Sequence, residues 1–324
     1  MIRPLRRPLA VLTVAGALLG GAPPAAAAEP APTGNGAWAV GPATSSRTYT
    51  PRLFFSLEGR PGTAIRDTVR IWNLTAKRIS FDVYGADGYN TPRDGAFALR
   101  TGAETQSGVG AWIKVARSTL SVPARGTLDV PFVLTVPANA TPGEHIGGLV
   151  ALNRKIEGVQ DTGAARVGIQ RAVAARVYLK VAGQLTPGVR VDGLAVDRGS
   201  APGATIRYRV TNTGNVRLSP AARVRVTGAF GRVLRDFPSR SLPELLPGQH
   251  LDLSLPWASP PPLDKVTVTV ETSTATGLIS RTRTGYVVVP WLTVLIGAAA
   301  MALLWFGVPP LIRSWRLRAG IVRR

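Results

Sequence analysis

The chain has 324 residues, enough for two or three domains, and contains no cysteine and only two histidines. The missing cysteine excludes disulfide frameworks, thiolate metal sites and cysteine nucleophiles, and two histidines leave few routes to a catalytic triad. The net charge is +21, but most basic residues are arginine, so part of this basicity is typical of GC-rich coding rather than of function.

The amino terminus is typical of a secretory signal peptide, which we place at residues 1–28. Three arginines precede an uncharged apolar stretch, and an alanine-rich segment offers a cleavage site. The alternative is an uncleaved anchor helix, but the stretch is short for a membrane span and two prolines interrupt it. We predict an extended lead-in at residues 29–47, with Trp38 as its one bulky anchor.

The region that follows shows the period-2 alternation of β-strands. Apolar residues alternate with polar ones over Leu128–Val136, and again over Val173–Val181. Because successive side chains of a strand point to opposite faces, these segments indicate half-buried antiparallel strands. Frequent Pro-Gly and Asn-Thr turns are typical of short-stranded sandwiches. We predict an all-β fold, with a first β-sandwich at residues 48–184.

The same pattern occurs twice, which predicts two tandem immunoglobulin-like β-sandwich domains. A Pro-Gly turn leads into a strand that ends at an asparagine turn, at residues 61–73 and again at residues 202–212. A second repeated pattern, a proline turn that leads into a strand, relates residues 122–132 to residues 246–255. We place the second β-sandwich at residues 187–280.

The carboxyl terminus predicts one transmembrane helix at residues 286–308. No charged residue lies between Arg283 and Arg313, and 23 mostly apolar residues make about 34 Å of helix, enough to cross a bilayer. A buried core helix, the alternative, fits this length and the basic flank less well. The basic tail at residues 309–324 indicates a cytoplasmic carboxyl terminus. We therefore predict a single-pass cell-membrane protein whose ectodomain lies on the extracellular, wall-facing side.

Five sequence blocks stand out in the first domain. They are Arg66–Asn73, Val83–Asp87, Asp94–Phe97, Gly110–Ile113 and, most specifically, Thr135–Ala151. Over residues 40–182 these blocks resemble the WxL-interacting proteins of Gram-positive cell surfaces, with a divergent second domain. The resemblance implies a peptidoglycan-binding first domain, a second domain that binds a protein partner, and a membrane helix at the carboxyl terminus.

Residue groups that could support catalysis are few. His145 and His250 are far apart in sequence, and the chain has no G-x-S-x-G, H-E-x-x-H or S-x-x-K motif. Asp87 and Asp94 faintly suggest a calcium loop, but their spacing is more typical of a polar turn. We predict that the protein is not an enzyme and uses no metal ion or other cofactor.

Candidate wall contacts are aromatic side chains with polar neighbours, because a sugar ring stacks its apolar face on an aromatic ring. The candidates that share this character are Trp72, Tyr84, Tyr89, Asn90 and Arg93. The alternative is that Trp72 and Tyr84 pack the outer sheet face against the connection at residues 153–168.

The exported region keeps an excess of basic residues, which attracts anionic wall polymers or lipid head groups. Nucleic acid is not an expected partner of an exported chain. We predict a non-enzymatic, membrane-anchored surface protein that binds peptidoglycan or an anionic wall polymer and presents or bridges to a surface protein partner. The alternative is an immunoglobulin-like spacer or assembly chaperone for another envelope protein or membrane complex, in which sheet edges pair with partners.

Overall fold

The computed structural model describes residues 34–44, 52–161, 166–198, 203–261, 264–275, 277, 279–288, 295–302 and 305. The predicted signal peptide and cytoplasmic tail lie outside these residues. Strands dominate the described chain, which confirms the predicted all-β class. They form two successive β-sandwiches.

The first sandwich consists of two packed sheets. Its elements in chain order are β1 (Trp38–Pro42), β2 (Phe55–Gly59), β3 (Ala64–Asn73), β4 (Ile79–Asn90), β5 (Phe97–Leu99), α1 (Val109–Trp112), β6 (Ile113–Val115), β7 (Thr119–Val122), β8 (Thr127–Thr135), β9 (Gly143–Asn153), β10 (Gly158–Asp161), β11 (Arg166–Ile169) and β12 (Ala172–Val181). One sheet has the order β1-β3-β8-β6. The other has the order β2-β12-β9-β4-β5, with β7 also paired to β4, while β10 and β11 form a separate hairpin.

Large aromatic side chains fill the space between these sheets. Trp38 and Phe81 pack with ring centroids 5.5 Å apart, and Phe55 meets Phe132 edge to face at 5.1 Å. All four are fully buried. Residues 38–42, which we assigned to an extended lead-in at 29–47, are instead the edge strand β1. The burial of Trp38 and its neighbours provides the free energy that holds this segment in the sheet.

The second sandwich has seven strands in two sheets. They are β13 (Val189–Asp197), β14 (Ala204–Asn212), β15 (Ala221–Thr227), β16 (Val233–Ser241), β17 (His250–Trp257), β18 (Asp264–Ser273) and β19 (Ile279–Val288), with a 3₁₀ turn at Ala229–Gly231. The sheet orders are β13-β14-β17 and β16-β15-β18-β19. A division of seven strands into three and four is found in sandwiches of the immunoglobulin type.

The internal repeat seen in the sequence extends to individual hydrogen bonds. Asn73 ends β3 and Asn212 ends β14, and both are buried. The side-chain nitrogen of each donates to the carbonyl four residues on, at 2.7 Å. The side-chain oxygen of each accepts the N–H two residues on, at 3.0 Å. The two domains therefore share this asparagine turn. Because β3 pairs with β8 and β14 pairs with β17, β8 corresponds to β17.

The last strand ends later than the sequence suggested. Residues 286–288, predicted to begin the membrane helix, pair antiparallel with residues 264–266 at the end of β19. Their apolar character suits both a membrane span and a strand, and pairing with β18 satisfies their backbone groups. Within the part of the chain that the structure describes, no helix is long and apolar enough to cross a membrane. Residues 295–302 and 305 are helical, and the remainder of the predicted span lies outside the described residues.

Candidate partner-binding site

A buried asparagine joins the two sandwiches. Asn90, at the end of β4, is 4% exposed. Its side-chain nitrogen donates to the carbonyl of Glu244 at 2.7 Å, and its side-chain oxygen accepts the N–H of Leu246 at 2.9 Å. It also donates to Gly95 in its own domain at 2.8 Å. The amide thus connects the β4–β5 turn of the first domain to the loop before β17 of the second.

A second asparagine makes the reciprocal connection. The side-chain nitrogen of Asn215 donates to the carbonyls of Pro142 and Gln184 at 2.9 and 2.8 Å, and its own carbonyl accepts the N–H of Glu144 at 2.8 Å. Gly143 lies against it with φ of 121°, and a β-carbon there would be 2.4 Å from the Asn215 carbonyl oxygen. Only glycine fits this contact without displacing the backbone.

An ion pair completes this set of contacts. The Glu144 carboxylate accepts the backbone N–H of Arg217 at 2.7 Å and its guanidinium at 3.2 Å. Burial raises the pKa of Glu144, but its hydrogen bonds to Arg217 outweigh burial and leave that pKa lowered. The Arg217 guanidinium also lies 4.2 Å from the ring centroid of Tyr178. We call Asn90, Glu144, Asn215 and Arg217 the junction.

A polar groove of about 390 Å³ opens beside the junction. Tyr89 and Arg100 line it from the first domain, with the guanidinium 6.0 Å from the ring centroid of Tyr89. Gln249 lines it from the second domain. Asp87, at its rim, accepts N–H groups of Ser107, Gly108 and Gly110, so its carboxylate is saturated by backbone. The groove therefore offers hydrogen-bonding groups to a polar ligand.

Directly after Gln249, strand β17 begins at a sheet edge. Within the described chain β17 pairs with one neighbour only, β14. The N–H of Asn212 bonds to the carbonyl of Gln249, so the odd-numbered residues of β17 face β14. Because this direction alternates along an antiparallel strand, the backbone groups of His250, Asp252 and Ser254 point away from β14. We call these three residues the open edge.

The first domain closes part of its corresponding edge. There β6 pairs with the second half of β8, and the carbonyl of Pro131 accepts the N–H of Ala116 at 2.9 Å. By the internal repeat, Pro131 corresponds to Ser254. The second sandwich has no counterpart of β6 among its described strands. An unpaired strand edge is a template for another extended chain.

The outer face of the sheet β16-β15-β18-β19 carries arginines in facing positions. Arg223 and Arg281 both lie opposite Glu271, and Arg225 and Arg283 both lie opposite Thr269. They surround a shallow depression of about 490 Å³. Asp236 is bonded to two of them and Glu271 to a third, while Arg283 has no acidic partner among the described residues. We call these four arginines the arginine face.

The predicted wall-contact residues do not form one surface. Trp72 lies half-buried on the sheet β1-β3-β8-β6, whereas Tyr84 lies on the opposite sheet. The Tyr84 ring packs against Gly102, where an added β-carbon would be 3.2 Å from it. The segment after β5 thus covers Tyr84. Two aromatic side chains on opposite sheets cannot grip the same sugar.

The other three candidates lie near the junction but in different settings. Tyr89 lines the junction groove, and Arg93 is exposed in the β4–β5 turn. Asn90 differs from the prediction, because its side-chain amide is buried and hydrogen-bonded between the two domains. Asn90 is predicted as a wall contact because the sequence contains no sign that a second domain docks there.

Sequence reasoning missed the rest of the junction and the open edge. Glu144 and Gly143 lie inside the block Thr135–Ala151 that stood out in sequence, but nothing there indicated a domain contact. The Asp87 and Asp94 carboxylates serve backbone N–H groups and a turn threonine, as the polar-turn reading expected. Among the described residues, no three His, Asp or Glu side chains are placed to hold a metal ion.

Comparisons with known proteins add little. No family model matches the chain, and a search of curated proteins gives no match. Among solved structures, a chain of the CFA/I chaperone–tip adhesin complex is 11% identical over 75% of this chain and 97% of that one, with a TM-score of 0.37. The Pseudomonas aeruginosa CupB2 chaperone is 13% identical over 72% and 97%, with a TM-score of 0.29. A chain of the Salmonella enterica SafA pilin–SafB chaperone complex is 12% identical over 79% and 98%, with a TM-score of 0.32.

These similarities are too weak to carry an argument about function. The resemblance to WxL-interacting proteins stays a prediction as well.

Proposed function

We propose that the protein is a non-enzymatic, membrane-anchored envelope protein that holds another envelope protein, as a spacer or an assembly chaperone. The open edge of β17 carries this proposal. His250, Asp252 and Ser254 offer backbone donors and acceptors in a row. In the first sandwich Pro131, the equivalent of Ser254, accepts a backbone hydrogen bond from Ala116, next to β6. An extended segment of the partner adds here as a strand.

The groove beside the junction extends this site. Gln249 lines the groove and His250 begins the strand, so a segment paired along β17 continues directly toward Tyr89 and Arg100 of the first domain. Backbone pairing on the edge supplies affinity, and the groove supplies specificity by hydrogen-bonding to polar groups of the segment. The junction keeps the edge and the groove in one fixed relation.

A proline scan of the edge tests this function. Ser254→Pro removes an N–H that points away from β14, and edge strands tolerate proline on that side, as Pro256 already shows. We expect cross-linking of the partner in intact cells to fall up to about tenfold, because the loss of one backbone hydrogen bond weakens binding by up to that factor. Ser254→Ala keeps the N–H and serves as the matched control.

The location of the contact is tested by photo-cross-linkers placed at Ser254 and, as control, at Val133 on β8, which pairs with Lys114 of β6. We expect a discrete protein adduct from Ser254 and none from Val133. Equal adducts from both positions, or unchanged cross-linking in Ser254→Pro, would show that β17 is not the contact.

Wall binding is a second candidate function, and the arginine face favours it. Four arginines against two acids on one sheet face suit an anionic wall polymer, whose charges are attracted over about a Debye length of ~8–10 Å. Peptidoglycan binding by the first sandwich, which the sequence resemblance implied, has Tyr89 as its remaining candidate in the groove.

Salt-dependent binding to purified cell walls tests this candidate. Arg281→Gln combined with Arg283→Gln is expected to weaken retention severalfold at low salt. The matched control, Arg190→Gln with Arg207→Gln, removes the same charge from the other sheet of the same domain. Equal losses of retention in both double variants would show that general electrostatic attraction, and not the arginine face, binds the wall.

A further inference from the structure

The turn between β15 and β16 presents a phenylalanine to solvent. Phe230 is 108% exposed, and its backbone has φ of 57° and ψ of 22°. A bulky residue rarely adopts this left-handed conformation, and an apolar side chain gains nothing from full exposure to water. The fold of the domain alone does not account for either feature.

The turn is held in this shape by a buried carboxylate. Asp264, at the start of β18, accepts the N–H of Ala229 at 2.8 Å and the guanidinium of Arg232 at 2.8 Å. The N–H of Gly228 donates to the carbonyl of Arg232 at 2.7 Å and closes the turn. Phe230 is thus displayed by an ordered loop.

This turn lies at the end of the sandwich from which the chain leaves. Asp264, which holds the turn, pairs with Val288, the last residue of β19. The neighbouring pair is Lys265 with Val287, whose side chain is 66% exposed. Arg198 belongs to the same end, since its guanidinium donates to the carbonyl of Pro261 at 3.2 Å. We call Phe230, Val287, Arg198, Arg232 and Lys265 the exit end.

The chain beyond Val288 indicates what the exit end meets. From Val289 to Val308 the sequence contains no charged residue. If this stretch anchors the protein in a bilayer, the exit end can stand off from the lipid by only a few residues, at most ~3.6 Å each. An apolar tip among basic side chains is the composition that binds at an anionic lipid interface.

We propose that the exit end docks on an anionic lipid surface, with Phe230 inserted among the head groups and Arg198, Arg232 and Lys265 facing lipid phosphates. This inference rests on the proposed membrane anchorage. A concave protein partner is a less suitable occupant, since the tip is a single convex side chain beside the point of membrane entry. Docking fixes the orientation of the second sandwich over the membrane.

The absence of cysteine allows a single-label test on the full chain. Phe230→Cys and Ser273→Cys each carry one environment-sensitive fluorophore in vesicles of phosphatidylcholine and phosphatidylglycerol. Ser273 is exposed at the opposite end of β18, about 30 Å away at ~3.3 Å per residue, and is the matched control. Circular dichroism confirms that both variants fold.

We expect the label at position 230 to show blue-shifted emission and severalfold stronger quenching by nitroxide-bearing lipids than the label at position 273. The difference should shrink by about half or more without phosphatidylglycerol, since the basic side chains then lose their partners. Labels that behave alike while the chain floats with the vesicles would overturn this inference alone. A chain that does not float with vesicles would overturn both the anchorage and the inference. Quenching independent of phosphatidylglycerol would overturn the role of the three basic residues.

Discussion

Replacing Asn90 by alanine separates the contribution of the junction to stability from the contribution of the two hydrophobic cores. The substitution removes the hydrogen bonds to Glu244, Leu246 and Gly95. Leu246 is buried, so its N–H loses a partner without gaining water. An unpaired buried donor costs about 1–3 kcal/mol and each of the other bonds about 1 kcal/mol, so the docked state should lose ~3–5 kcal/mol.

The assay is the distribution of distances between spin labels, one in each sandwich. Ser118→Cys and Ser254→Cys provide exposed attachment points in a chain without cysteine. In the Asn90→Ala background, we expect the distribution to broaden and the urea midpoint to fall. A loss of ~3 kcal/mol corresponds to a change of more than a hundredfold in the ratio of docked to undocked chains.

The matched control is Asn153→Ala. Asn153 is also buried and hydrogen-bonded, but its partners, Glu157 and Lys155, lie within the first sandwich. This variant should lose stability and keep a narrow distance distribution. If Asn90→Ala also kept a narrow distribution, the junction would not depend on Asn90 and the reasoning would be wrong.

Three further predictions follow from burial and charge. The pKa of Glu144 is lowered in the folded chain, so its stabilisation of the junction is present at neutral pH and is lost as the pH falls below 4.5 through the folded-state pKa. The distribution of distances between the spin labels should therefore broaden at low pH, and Glu144→Gln should abolish that pH dependence. Trp38→Ala should cost about 3–5 kcal/mol in urea unfolding and Trp72→Ala much less, since only Trp38 is fully buried; equal losses would contradict the assignment of β1 to the core. Gly143→Ala should disrupt the junction, because the new β-carbon meets the Asn215 backbone; an unchanged distance distribution would refute that contact.

Local pattern was enough to predict the two sandwiches. Strand alternation depends on neighbouring residues, so β8 and β12 could be recognised directly. The internal repeat correctly related Asn73 to Asn212, since each caps its own strand through bonds to residues two and four positions away. At the carboxyl end, the same apolar residues suited a strand and a helix, and pairing with β18 decided the outcome for residues 286–288.

The candidate site was determined by contacts between residues far apart in sequence. Sequence reasoning does not reveal that Asn90 is buried, because its partners, Glu244 and Leu246, lie more than 150 positions away. The open edge of β17 depends on the absence of a second pairing strand among the described residues, which no local pattern reveals. The sequence alone therefore determined the alternating strands such as β8 and β12. Only the tertiary structure decided that residues 38–42 and 286–288 are strands and which backbone groups stay unpaired, because hydrogen bonding between strands is set by the packing of distant segments.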